Sequence, residues 1–225
     1  RRKSVTLSWL IWEPRTLRRK HITKTINSIL SIDKDSKIFL GTDQKIKFKN
    51  VEIIDLKDIV SDQTNKIKQD DIFKGTIFEG NPLWITSLLR IFYLRDIQKK
   101  LNLKNVIHFD NDILIYKPYE ELNNYFDSSR FNITPCNQNR LIFGYSFIAK
   151  YEILDNLCNF LDKKIEEGVN KEWGFNNFTP PNEMDLLGMI YNDNNSIFNL
   201  LPILPYDSTT IFDPLSYGMY IDGSH

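Results

Sequence analysis

The chain alternates short apolar runs with longer amphipathic stretches, the pattern of strands feeding helices. Residues 5–12 are apolar enough to form a buried first strand, and Pro14 ends it. A helix is predicted over 15–30, a strand over 37–40 stopped by Gly41-Thr42-Asp43, and a third strand over 51–54. Residues 61–80 are polar and read as an irregular surface excursion. Pro82 then opens a helix to about residue 101, with apolar positions at Leu83, Trp84, Leu88, Ile91, Leu94, Ile97 and Leu101. A short strand follows at 105–109. Extended structure resumes at 113–116 and closes at Pro118. Residues 131–134 and 141–148 predict two further strands, and 151–167 an amphipathic helix with Gly168 as its stop. Behind Pro180-Pro181 a helix is predicted over 182–191, and the Pro- and Gly-marked tail reads as irregular. The order of elements is that of an α/β layer fold. No repeat or low-complexity linker interrupts it, which favours one domain across 1–225.

Composition narrows the class. With 225 residues, 41% hydrophobic and 13% aromatic, the chain can build a real core. Lys plus Arg and Asp plus Glu are each 29, so no net charge draws it to nucleic acid. The N-terminal end is locally basic through Arg1, Arg2, Lys3, Arg15, Arg18, Arg19 and Lys20. That cluster reads either as a solvated face or as attraction to an anionic ligand or a membrane surface, with peripheral contact at the cytoplasmic face. Cys136 and Cys158 are too few and too far apart for a metal site or disulfide framework, so a reducing, cytoplasmic setting is expected. No apolar run reaches 18 residues, and no signal peptide is recognised. The absent initial Met and the abrupt stop at His225 are what a piece of a longer protein would show.

The candidate chemistry lies at Asp110-Asn111-Asp112. A D-x-D triplet alone says little, since Asp33-Lys34-Asp35 matches it too. That second copy sits in a polar turn with no strand feeding it. The copy at 110–112 leaves an apolar strand, and the C-terminal ends of strands in open α/β sheets are where ligand crevices form. Two carboxylates there repel one another and lose hydration unless a cation joins them. Hard oxygen ligands with open positions suit Mg²⁺ or Mn²⁺, the rest filled by phosphate oxygens and water. The competing reading is an Asx-capped turn. Arg90 shares a helical face with Ser87, Leu94, Ile97 and Leu101, so its guanidinium needs a carboxylate or phosphate partner. It would meet either a structural acid, a diphosphate or an Asp of the triplet. His108, on the same strand face as Asp110, reads as a hydrogen-bonded core residue.

The stretch from Leu83 through Arg90 to Val106-Ile107-His108-Phe109-Asp110-Asn111-Asp112-Ile113-Leu114 resembles the core signature of GT-A glycosyltransferases. Tyr119-Glu120-Glu121-Leu122 matches the short acidic helix that follows in that family. Phe143-Gly144-Tyr145-Ser146-Phe147-Ile148 is similar to its sugar-pocket strand, and Asn182-Glu183-Met184-Asp185 to its acidic helix start. The resemblance implies a mixed, mostly parallel central sheet flanked by helices. It divides into a nucleotide-binding half at about 1–118 and an acceptor half at about 119–225. It further implies a nucleotide-sugar donor, with a UDP-sugar favoured, and a glycan or other hydroxyl acceptor. The divalent cation would lie on Asp110 and Asp112, with His225 in a closing C-terminal loop as a third ligand. Arg90, Asp110 and Asn111 would contact the donor. Thr6 and Ser8 of the first strand would meet the base, and Asp43 the ribose. Glu183 or Asp185 would take the acceptor proton. Both acids also suit a helix start through dipole and capping alone. Position 183 is Glu and 185 is Asp where many retaining members have Asp-Gln, so the stereochemical class stays open.

Three other readings compete. A sugar-phosphate nucleotidyltransferase would carry a Gly-rich phosphate loop after the first strand, but residues 5–20 contain no glycine. A hydrolase needs two acids on opposite faces of a glycosidic bond, which one triplet does not supply. A non-catalytic sugar-nucleotide or glycan-binding module would keep the fold without the chemistry.

Overall fold

The structure is a computed structural model that describes residues 8–13, 19–69, 72–110, 114–171, 180–203 and 210–212. Its strands are β1 (Ser8–Glu13), β2 (Lys37–Thr42), β3 (Glu52–Asp55), β4 (Val106–Phe109), β5 (Phe131–Asn137), β6 (Arg140–Ile148) and β7 (Phe198–Leu200). They form one sheet in the order β3-β2-β1-β4-β6-β5-β7. β1 pairs in parallel with β2 and β4, β2 with β3, and β5 with β7, whereas β6 runs against both β4 and β5. β6 is thus the one reversed strand among those described. The helices are α1 (Arg19–Ile32), α2 (Asp62–Gln69), α3 (Pro82–Lys100), α4 (Tyr119–Leu122), α5 (Tyr151–Lys171) and α6 (Glu183–Asp193). This is the mixed, mostly parallel α/β architecture expected from the sequence.

Strand alternation sends side chains to two helix-covered faces. Ile107 and Phe109 of β4 join Ile38 and Leu40 of β2, Tyr145 and Phe147 of β6 and α1's Ile22, Ile26 and Ile29. Val106 points the other way, with Phe39, Phe143 and Ile148, toward α3, α5 and α6. Each such large side chain contributes about 1.5–3 kcal/mol by leaving water. Among the described residues no helix is long and apolar enough to cross a membrane.

The helix at 82–101 appears with sharp ends. Asn81 accepts from the Leu83 N–H at 3.0 Å, and Pro82 takes the first turn, where its missing N–H costs nothing. At the other end Leu103 N–H donates to Gln98 O and Asn102 N–H to Lys99 O, with Asn102 at φ 49°. That double bond is a Schellman closure, with Asn in the left-handed position. α3 is not simply striped, however. It is buried all the way round from Ile91 to Gln98, because α2 and α5 cover the side that the sheet does not.

Three expectations are corrected. Residues 61–80 are not an irregular excursion: α2 forms there, and Ile67, Ile72, Phe73 and Phe78 are buried. Polar bonds anchor α2, since Asp96 accepts from Ser61 N–H at 3.0 Å and Thr64 Oγ1 at 2.6 Å. Gly168 does not stop α5, which runs on to Lys171. Residues 114–116 pair with no strand, and Ile115 is buried while Leu114 and Tyr116 face outward. The tail holds a strand, β7, which adds to the sheet edge beside β5. The Asp33–Asp35 turn matches its reading: Asp33 accepts from Asp35 N–H at 3.3 Å and from Ser36 Oγ.

The reversal of β6 determines what stands at the crevice edge. Phe109 faces Tyr145, and Asp110 N–H donates to Gly144 O at 2.9 Å. Residues 140–143 therefore extend beyond the C-terminal end of β4, carrying the tip of the β5–β6 hairpin past Asp110. The register between β5 and β6 slips between Ile133 and Thr134, where the partner changes from Ser146 to Ile142. Such a slip re-aims side chains. Here Phe143 lands on the same face as His108, their rings stacked 4.6 Å apart.

Candidate functional site

Three segments converge where β4 ends. Arg90 projects from the middle of α3, Asp110 follows β4, and Glu183 is the first residue of α6. Arg90 donates from Nη1 to Asp110 Oδ1 and from Nη2 to Glu183 Oε1, the latter at 2.7 Å. Its guanidinium carbon lies 5.4 Å from the Phe143 ring centroid. The ring below and the two carboxylates fix the plane of the fork, as Arg rather than Lys requires. His108 is fully buried beneath this stack, a core position in accord with its reading.

The side chains of Arg90 and Glu183 are 12% and 7% exposed, while Asp110 is 37% exposed. Asp110 is thus the member of the trio that a ligand reaches from solvent. A cation approaching from solvent would therefore meet the Asp110 carboxylate first. Burial raises the Glu183 pKa above its ordinary value. The Arg90 charge and hydrogen bond oppose that rise, and Asp185 adds to it.

Asp185 is placed differently. Asn182 caps α6 by accepting from Met184 and Asp185 N–H at 2.9 and 3.1 Å. Asp185 returns the bond by accepting from Asn182 N–H at 3.2 Å, completing a capping box. Its other oxygen accepts from Arg140 Nε at 2.6 Å.

The remaining predicted residues scatter along the sheet. Asp43 follows β2 at the same C-terminal edge, exposed, and its charge reaches Tyr93 of α3, whose hydroxyl pKa is raised first by burial. Ser8 opens β1 level with Val106, at the far end of β4 from Asp110. Thr6, Asn111, Asp112 and His225 lie outside the described residues. Among the described residues no group of three or more His, Cys, Asp or Glu is gathered as a metal site, so Asp110 is the one described member of the predicted metal set.

Two contributors were given no role of their own from sequence, although Phe143 opens the stretch similar to a sugar-pocket strand. Phe143 supports Arg90 only because of the register slip, which leaves no pattern in the residues. Arg140 engages Asp185 across 45 positions, and the cue available was a charged residue directly after the polar turn Asn137-Gln138-Asn139.

No family model matches the chain, and no curated protein matches it by sequence. Solved structures do. Mouse xyloside xylosyltransferase 1 in its apo form superposes with a TM-score of 0.58 at 12% identity, over 88% of this chain and 86% of that one. The apo glycosyltransferase GlyE of Streptococcus pneumoniae TIGR4 gives 0.53 at 14% identity, covering 84% of this chain and 44% of that one. The chain thus spans less than half the length of GlyE. An active-site mutant of LgtC gives 0.51 at 10% identity, over 96% and 82%. The architecture is therefore a glycosyltransferase fold.

Proposed function

We propose that the protein is a glycosyltransferase of the GT-A type. It would move a sugar from a nucleotide-sugar donor, a UDP-sugar by preference, to a hydroxyl of a glycan or other acceptor. The observation that carries this reading is Arg90 joining Asp110 to Glu183 at the crevice edge of a glycosyltransferase fold. Fold alone would leave function open. A half-open carboxylate, a buried acid and a pinned guanidinium at that edge give it chemistry.

The exposed carboxylate of Asp110 suits a hard divalent cation, Mn²⁺ or Mg²⁺, with Asp112 and His225 as the further ligands. When bound, that ion neutralises negative charge on the departing nucleoside diphosphate. Arg90 orients the donor and adds positive charge beside it. Asn111, between the two metal ligands in sequence, would hold the donor, and Asp43 would accept from the ribose. Glu183, buried and raised in pKa, is favoured as the group that takes the acceptor proton. Asp185 is held by its cap and by Arg140, which suits it to positioning Glu183's turn.

Calorimetric titration with UDP and Mn²⁺ tests the reading. The parent should bind UDP only with the metal, and Asp112→Asn should weaken that by at least about tenfold, roughly 1.4 kcal/mol. Equal binding by the variant would remove the metal assignment. Glu183→Gln should slow transfer by about 10²–10⁴. UDP binding by the parent without turnover of any nucleotide sugar would favour the non-catalytic module.

A further inference from the structure

The chain is neutral overall, but its lysines are not evenly placed. Residues 44–51 hold Lys45, Lys47 and Lys49 and no acid. They return from the end of β2 to the start of β3, the strand at one edge of the sheet. We propose that these three lysines form a docking ridge for an anionic phospholipid surface. The ridge has this role whether or not the chain transfers a sugar.

The residues between the lysines align them. Ile46 and Phe48 are half-buried and pack, with Val51, against the core that α1 covers. Alternation turns Lys45, Lys47 and Lys49 outward together, and all three are exposed. Successive lysines lie about 7 Å apart along such a segment. That is within the screening length of about 8 Å at physiological salt, so their fields add. Among the described residues Lys66, Lys117, Lys163 and Lys164 each pair with an acid, but none of the three ridge lysines does. Like charges held side by side repel, and an external anionic surface relieves that repulsion. Lys34 and Lys37 line a cleft with Asn50, next to the end of the ridge. Asp35 and Glu52 balance them there, so the unanswered charge is that of the ridge itself.

Shape and chemistry select the partner. The ridge stands on the outer flank of an edge strand, where an extended plane can lie against all three ammonium groups at once. Phe48 is the one aromatic residue of the segment and is turned inward, so no ring is offered for stacking on nucleic-acid bases. A lysine near an anionic bilayer multiplies affinity by about fivefold. Three give attachment that is weak, reversible and sensitive to salt. Lys45 is two residues from Asp43 at the crevice edge, so attachment by the ridge keeps that edge near the lipid.

Co-sedimentation of the whole chain with vesicles tests the proposal, using phosphatidylcholine alone and phosphatidylcholine mixed two to one with phosphatidylserine. The parent should bind the mixed vesicles, not the neutral ones, and should leave them as salt is raised. Lys45→Ala/Lys47→Ala/Lys49→Ala should weaken binding by at least about tenfold, and so should the glutamine triple if the alanine triple fails to fold. Lys74→Ala/Lys104→Ala/Lys150→Ala removes the same charge from exposed lysines elsewhere and should keep most of the binding. Absence of binding by the parent, equal binding to both kinds of vesicle, equal loss from both triples, or unchanged binding by the ridge triple overturns the ridge. Binding of a labelled oligothymidylate that the ridge triple loses, with no vesicle binding, overturns the lipid partner and assigns the ridge to nucleic acid.

Discussion

At Glu183 burial and charge pull in opposite directions. Desolvation favours the protonated acid and Arg90 favours the carboxylate, and the net pKa is raised from 4.5. A folded pKa above the unfolded one means that the fold binds the proton more tightly. The corresponding stability is full below about pH 4.5 and is lost as pH rises through the raised folded value. Glu183→Gln does not titrate. Urea denaturation across pH 4–8 should show the variant gaining on the parent through that window and holding a constant difference above it. A constant difference at every pH would mean that Glu183 titrates alike in both states. Much of this trio is legible in sequence, because Arg90 on an apolar helix and Asp110 after an apolar strand each announce an unmet electrostatic need. What sequence does not show is that one guanidinium serves both acids. That depends on the angle at which α6 enters.

Helix α6 is set by its ends and by one missing side chain. The Asn182–Asp185 capping box starts it, and Gly188 lets it touch the hairpin. Gly188→Ala puts a methyl group into the Asn139 carbonyl, a backbone atom that no rotamer change relieves. Overpacking of this kind costs about 1–3 kcal/mol. The expected loss appears as a lower urea midpoint with an unchanged slope. An unchanged midpoint would show that the hairpin moves away freely. At this scale the sequence speaks where apolar periodicity is the cause of structure, as in β2, β4, β6 and α3. It is silent about α2. Its eight residues carry one isoleucine among polar groups, and what holds them is Asp96 and Arg95 on another helix. It is silent about β7 as well, three residues whose partner lies on β5.

Across the whole molecule, pairing distances along the chain are unequal. β5 and β6 are joined through Gln138-Asn139, whereas Ser8 of β1 must find Val106 of β4. Loop closure makes distant pairings slow, while hairpins form in about 1–10 μs. Pulsed hydrogen exchange during refolding should protect amides of β5 and β6 before those of β1. Earlier protection of β1 would indicate that the parallel half nucleates the sheet. The architecture survives at 12% identity to the mouse xylosyltransferase, as expected when buried volume and patterning, not particular residues, specify a core.

The seat of the hairpin on Gly188 has a consequence for how such a protein diversifies. The contact is made by a carbonyl that every residue type carries, so it is blind to the side chains at the tip. Residues 138 and 139 are free to vary one at a time without unseating the loop. The surface chemistry of the tip can thereby change by point substitution while the core and the crevice residues stay as they are.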